Sequence, residues 1–356
     1  MNQVLCRYSV IFIFVFLPSF SSIAALNIVF LNPGHPDENA TGSFWSKVTT
    51  FMDAAAQDLN IKLTTVHANR DHILMKSLAT TIIKLDPDYV VLVNEKGIAV
   101  DIIKTLAPHN IPIFMLLNTL NNKELSKLTE QQKSLIKGSV TPNNLIAGEQ
   151  LLEGLFNIFH QQVTTTTPPK LLALQGDYTT PASLQREQGF HQALQKNKAQ
   201  LIDSSVSNWS KEMAYYKTKG ILWHAQINII WAANDAMAFG AKKAVTDAKI
   251  NYPVIIGGIN WDFDEPEYPV DLSLGGHVTL GAMALVMIND IANNQLNQEK
   301  TVQQINIFES SLSPHYKGFK QLMTQGKINQ IDFSRFSQTH KNPLTFSIEN
   351  LIKAMH

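Results

Sequence analysis

Short apolar runs alternate with longer stretches whose apolar residues recur every three or four positions, and this alternation organises nearly the whole chain. Residues 27–31 (NIVFL) read as a buried strand that enters a loop rich in Gly, Pro and Asn. Residues 43–59 then carry Phe44, Val48, Phe51, Met52, Ala55 and Leu59 on one helical stripe. A strand at 61–66 and a helix at 71–85 follow, then strands at 89–93 (YVVLV) and 111–117 (IPIFMLL) divided by a helix at 98–107. The pattern resumes with a strand at 170–175 and a helix opening at Thr180-Pro181, where Thr can cap and Pro suits the first turn. Strands at 201–206, 227–231 and 253–256, with a helix at 235–248, complete it. Apolar strands divided by helices predict parallel sheets covered on both faces. Two successive sets of such units predict an α/β protein of two similar lobes. Ligands of parallel sheets sit at the carboxyl ends of the strands, so the site is expected in a cleft between the lobes. The Thr-rich segment 163–169 directly precedes a strand and reads as a surface loop inside the second lobe.

The first 25 residues break the pattern. Arg7 precedes an apolar run from Val10 to Leu17, and Pro18 and small residues follow. This is the layout of a cleaved secretory signal, and the run is far short of the roughly 20 residues that span a bilayer. Export to the periplasm is the expectation. Cys6 lies before the run, so it is no lipid-modified mature terminus, and the remaining chain has no cysteine to form a disulfide.

Composition narrows the functional classes. The 356 residues carry 29 basic and 29 acidic side chains, and loss of Arg7 with the signal leaves 28 − 29 = −1. Such a balance excludes broad electrostatic capture of nucleic acid or an anionic membrane. With 45% hydrophobic and 16% charged residues the chain is expected to be globular, and its length allows two lobes. No Ser-His-Asp elbow, paired-carboxylate motif or phosphate-cradling Gly-rich loop is present; Asn32-Pro33-Gly34-His35 is an ordinary turn. The eleven histidines show no metal spacing. The acidic group Asp262, Asp264, Glu265 and Glu267, broken by Pro266 and Pro269, fits no calcium loop and reads as solvated. Neither an enzyme, a cofactor nor a metal site is expected.

Certain segments at strand ends carry a resemblance. They are Gly176-Asp177 through Arg186-Glu187-Gln188-Gly189-Phe190, Trp231 to Ala238 (WAANDAMA), Ile256 to Trp261 (IGGINW), Gly275-Gly276-His277, and Phe44-Trp45. Together they resemble the ribose- and galactose-binding group of type I periplasmic binding proteins, which serve ABC importers. The resemblance spans nearly the whole mature chain. It implies two lobes joined by a three-crossing hinge, with a first lobe of about 26–141 plus 278–303 and a second of 142–277 plus 304–356. The tail from about 310 exceeds the family's shorter members and is expected to pack against the second lobe. Repressors sharing this fold carry an N-terminal DNA-binding motif where this chain has its signal, so no nucleic acid is expected.

A sugar offers apolar faces and a rim of hydroxyls, and wants flat rings against the faces and polar groups around the rim. By resemblance, Phe44 and Trp45 stack from the first lobe. Trp45 falls off the apolar stripe, whereas Phe44 also fits core packing. From the second lobe, Trp209 is the expected ring, with Trp261 competing. Arg186 is the sharpest polar candidate, its planar fork suiting two hydroxyls or a carboxylate; the competing reading is a salt bridge to Glu187. Galactose binders have an aspartate where this chain has Ala182, which speaks against glucose or galactose. Asn234 is assigned to the ligand and Asp235 to capping or the cleft. Asn260 stands where ribose binders have aspartate, and His277 where relatives often have Gln or Asn. Asn94, followed by Glu95, and Asn118 end first-lobe strands. The expected protein is a monomer that clamps a sugar-like ligand and presents its closed form to an ABC permease or, alternatively, as an autoinducer-2-receptor-like sensor, to a membrane sensor kinase.

Overall fold

The computed structural model describes residues 25–37, 41–263 and 265–355. All but Ala25 of the expected secretion signal lies outside the described residues. In chain order the first part runs β1 (Asn27–Asn32), α1 (Phe44–Asp58), β2 (Lys62–His67), α2 (His72–Ile83), β3 (Tyr89–Leu92), α3 (Ala99–Leu106), β4 (Ile113–Leu116), the one-turn α4 (Asn122–Leu125) and α5 (Glu130–Lys133), and β5 (Ile136–Pro142). The second part runs α6 (Asn144–Gln162), β6 (Lys170–Gln175), α7 (Pro181–Lys196), β7 (Gln200–Val206), α8 (Lys211–Leu222), β8 (Ile229–Ala232), α9 (Asp235–Asp247), β9 (Ile255–Ile259) and β10 (Leu272–Gly275). Then come α10 (Leu280–Ala292), β11 (Val302–Ile305), β12 (Glu309–Ser310), α11 (Pro314–Thr324) and α12 (Ile348–Lys353).

Two six-stranded sheets result, ordered β11-β5-β4-β3-β1-β2 and β12-β10-β9-β8-β6-β7. Every pairing is parallel except β10 with β12. The near-continuous apolar strands have a simple cause. In β1, Ile28 and Phe30 join a core shared with α1 and α10, while Val29 and Leu31 join a separate core beneath α2 and α3. Both faces are covered, so both sets of side chains must be apolar, each buried one stabilising by roughly 1.5–3 kcal/mol. The second sheet is covered in the same way, with Trp231 and Phe190 fully buried.

The chain passes between the two sheets where β5 meets α6, where β10 meets α10, and between β11 and β12. The Thr-rich 163–169 is indeed a connection between α6 and β6. One expectation is overturned: the tail does not pack on the second lobe. After β12 the chain returns to the first lobe, where Phe319 stacks on Phe51 of α1 at 6.0 Å and Phe333, Phe336, Ile348 and Leu351 enter the first-lobe core. Carboxylates fasten it there. Asp58 accepts from the backbone N–H of Phe333 at 2.8 Å, and buried Asp290 accepts from Ser337 and from the N–H of Gln338. The tail is rich in Phe and Ile because it extends a core, and the nearest open core face belongs to α1 and α10.

Among the described residues, no helix is long and apolar enough to cross a membrane.

Candidate functional site

The carboxyl ends of the strands in both sheets converge on one cavity, lined by residues from the strand–helix connections of both lobes. Its first-lobe wall begins at the β1–α1 connection. Gly34 lies directly beneath Trp45, where a Cβ would come 2.3 Å from the Trp45 Cβ, so only glycine fits. The first turn of α1 then presents Phe44 and Trp45, edge to face at 5.0 Å, and both line the cavity as expected. Phe44 is only half-buried and leans on the His277 ring at 4.9 Å; the helix turns Trp45, not Phe44, toward the core.

The ends of β2, β3 and β4 complete this wall. Asn69 and Arg70 both adopt left-handed backbone (φ 51° and 62°), bringing Arg70 to the cavity, where Nη1 lies 3.1 Å from Glu95 Oε1. Burial raises the Glu95 carboxyl above its usual range; Arg70 opposes this and Asp177 across the cleft adds to it. Asn118 lines the cavity, and its Oδ1 accepts from the backbone N–H of Ala182 in the second lobe at 3.1 Å. Asn94 does not line it. Its amide donates to Thr119 O and Glu124 Oε2, and its Oδ1 accepts from Ala99 N, so it braces the loop while Glu95 takes the cavity position.

The second-lobe wall centres on Arg186, buried to 4% exposure. Nε donates to Asn144 Oδ1 at 2.9 Å and Nη1 to Ala233 O at 2.6 Å, while Nη2 lies 3.2 Å from His277 Nε2. The salt bridge to Glu187 does not form; Glu187 instead accepts from Gln175 and faces His191. Burial pushes the guanidinium down to about 9, with Asp235 pulling the other way. Burial also holds His277 well below its ordinary pKa, and Arg186 adds to that. A guanidinium only donates, so neutral His277 accepts at Nε2 and carries its proton on Nδ1. Buried Nδ1 has no partner among the described residues.

Trp209, in left-handed backbone (φ 62°), lies flat over Gly176, where a Cβ would sit 2.3 Å from its Cζ2. Its Nε1 donates to Asp177 Oδ2 at 2.7 Å. Burial alone would raise Asp177, but hydrogen bonds from Thr180, Thr179 and Trp209 hold it below the usual carboxylate range. Thr180 thus donates to Asp177 and does not cap α7 through its side chain, although Pro181 occupies the first turn as expected.

Asn234 lines the cavity and also caps α9, its Oδ1 accepting from Met237 N at 2.9 Å. Asp235 therefore neither caps α9 nor lines the cavity. Its Oδ2 accepts from Ser273 Oγ and Asp262 N, and burial, reinforced by Asp262, pushes its carboxyl up to about 8. Asn260 lines the cavity and donates to Asp262 Oδ2 at 3.2 Å. Trp261 does not line it. Fully buried, it packs on Tyr316 and Phe319 of the tail at 5.2 and 5.1 Å, so the ring expected to stack on a ligand instead ties the second lobe to the first-lobe core. The acidic stretch is not wholly solvated either: Asp262 is buried and pairs with Lys47 of α1 at 2.6 Å, across the lobes, while Asp264 lies outside the described residues.

Eight of the ten expected site residues line the cavity, and Thr41, Arg70, Glu95, Leu117, Pro142, Asn144, Thr180 and Ala182 join them. Arg70 was signalled by the polar run Asn69-Arg70-Asp71 between strand and helix; Asn144 was hidden because β5 has few apolar residues.

This arrangement of two lobes around one cavity has close structural parallels. A crystal structure of a periplasmic sugar-binding protein from Pseudomonas fluorescens shares 27% identity, with a TM-score of 0.79 over 91% of this chain and 99% of its own. The binding component of an arabinose ABC transporter from Shewanella sp. ANA-3, bound to L-arabinofuranose, shares 15% identity with a TM-score of 0.69 over 85% and 97%. An ABC-transporter solute-binding protein from Actinobacillus succinogenes 130z with bound D-allose shares 18%, with a TM-score of 0.66 over 80% and 96%. No curated protein sequence matches significantly. The sequence profile of the periplasmic binding protein domain matches residues 37–263, well over half of the chain, and with the fold above this establishes that the chain belongs to that family.

Proposed function

We propose that this protein captures a sugar-like ligand in the inter-lobe cleft and delivers it to an ABC importer. The observation that carries the reading is the joint wall around Arg186: aromatic rings from both lobes flank one cavity, and the buried guanidinium keeps an N–H on each terminal nitrogen beyond its bonds to Asn144, Ala233 and His277. Trp45 and Trp209 supply flat apolar faces, and Asn118, Asn234, Asn260 and Glu95 supply a rim of donors and acceptors for hydroxyls. Rotation about the crossings exchanges an open and a closed cleft, and the closed form desolvates the ligand and presents the surface a permease would read. The sugar-binding relatives of the same architecture support the ligand class. The chemistry is binding alone, so intact ligand should be recovered after incubation.

A thermal-shift screen over pentoses, hexoses and polyols tests the reading, because a ligand held only by the native state raises its stability. Arg186→Ala should abolish the shift while circular dichroism still reports a folded chain. An unchanged shift in this variant would remove Arg186 from the site.

A further inference from the structure

Resting on that reading of the cleft, we propose that the ligand is a sugar acid, an aldonate or uronate whose carboxylate seats against Arg186 and whose hydroxyls face the first lobe. The Arg186 wall is made of donors. Asn144 Oδ1 and His277 Nε2 are engaged by the guanidinium, leaving the Asn144 amide and the remaining Arg186 N–H groups. None of the guanidinium's three bonds goes to a carboxylate. A buried charge without an ionic partner is costly, and a ligand that brings the counter-charge removes the cost; a hydroxyl supplies a hydrogen bond but no charge.

The neighbouring acids are committed elsewhere. Glu95 is paired with Arg70, Asp262 with Lys47, and Asp177 receives Thr179, Thr180 and Trp209. Asp235 accepts from Ser273 and the Asp262 N–H and makes no bond to the guanidinium; it acts on Arg186 only through space, while burial raises its own carboxyl to about 8. A carboxylate has two oxygens for two guanidinium N–H groups, the geometry of the stronger charge-assisted pairs. The opposite wall, with the Asn118 amide and the Glu95 carboxylate, suits hydroxyls that both donate and accept.

The test is calorimetry on the full mature chain with matched pairs: D-galactose against D-galacturonate and D-galactonate, and D-glucose against D-glucuronate and D-gluconate. At least one acid should bind ten times or more tightly than its neutral parent. Raising salt from 50 to 500 mM should weaken the acid less than twofold, since a buried pair is little screened. Arg186→Gln, which keeps donors but loses the charge, should collapse the ratio toward one. If that variant does not fold, the wild-type ratios decide alone. Neutral parents binding as tightly as the acids, or tighter, would overturn the inference and leave the sugar-capture reading standing. Failure of all six compounds, with binding of another class such as amino acids, would overturn both.

Discussion

The two lobes are built to the same strand order, which makes their differences instructive. β3 ends in Val93-Asn94-Glu95 and its counterpart β8 continues into Ala233-Asn234-Asp235, nearly the same three residues in the same place. Their roles are exchanged. In the first lobe the Asn is turned inward and the acid lines the cleft, whereas in the second the Asn lines the cleft and the acid is buried behind it. The cause is local. Asn234 begins α9 directly, so capping holds it at the strand end, while Asn94 lies ahead of the turn Lys96-Gly97, both with positive φ, and Glu124 from the next loop takes its amide. The edge strands show the opposite case: Asn69-Arg70 after β2 and Asn208-Trp209 after β7 share the same doublet of left-handed residues, and each delivers its second side chain to the cavity. One backbone device thus serves a cation on one side and a ring on the other.

The comparison breaks most visibly at the pair that spans the lobes. Asp262→Ala removes the carboxylate paired with buried Lys47 and should cost about 3 kcal/mol in urea unfolding, while the double variant Lys47→Met, Asp262→Leu should recover most of it. A single-variant loss below about 1 kcal/mol would mean the pair is hydrated in solution. Next come the two first-lobe asparagines. Asn94→Ala should lower stability by about 1–3 kcal/mol and leave ligand affinity unchanged, because its partners lie within the lobe. Asn118→Ala should do the reverse, costing little in the free protein but weakening ligand binding several-fold through loss of the inter-lobe bond to Ala182. Equal effects of the two on binding would erase the distinction drawn here.

The smallest effects are in pH. Asp235, raised to about 8 from 3.8, binds a proton in the folded state that the unfolded chain releases, so stability should rise as pH falls from about 9 toward 7. His277, depressed below 6.5, acts oppositely: its contribution is present above 6.5 and is lost as pH falls below that value, by up to about 1.4 kcal/mol per unit. Below 6.5 the two slopes oppose each other, and melting temperature should level off between pH 6.5 and 5. Asp235→Asn should remove the alkaline limb, and His277→Gln should turn the plateau into a continued rise. Melting curves from pH 5 to 9 in the three proteins check this.

Strands that are apolar on both faces were readable from the sequence because burial on two sides leaves no room for polar positions. β5, β11 and β12 were not, since Lys137, Thr141, Gln303 and Gln304 interrupt their apolar runs, and neither was β10, buried on both faces but short and broken by Ser273 and Gly275. Site residues at predicted strand ends were found where the strand itself was found. Trp261 misled because sequence gives a residue's position on the chain but not the side to which its backbone turns: at φ 58° the ring swings away from Asn260 and into the partner lobe. The tail misled for a related reason. Its attachment depends on which helix face lies open three-dimensionally, and nothing within residues 314–355 names α1.

Because the tail returns beside β1, Leu26 and Ala354 rest in the same hydrophobic core. Fluorophores attached beside Leu26 and Ala354 would therefore stay together, and their energy transfer would be nearly blind to the proposed closure of the lobes. A reporter for the proposed closure should instead pair one of these positions with the loop at 163–169, which belongs to the other lobe.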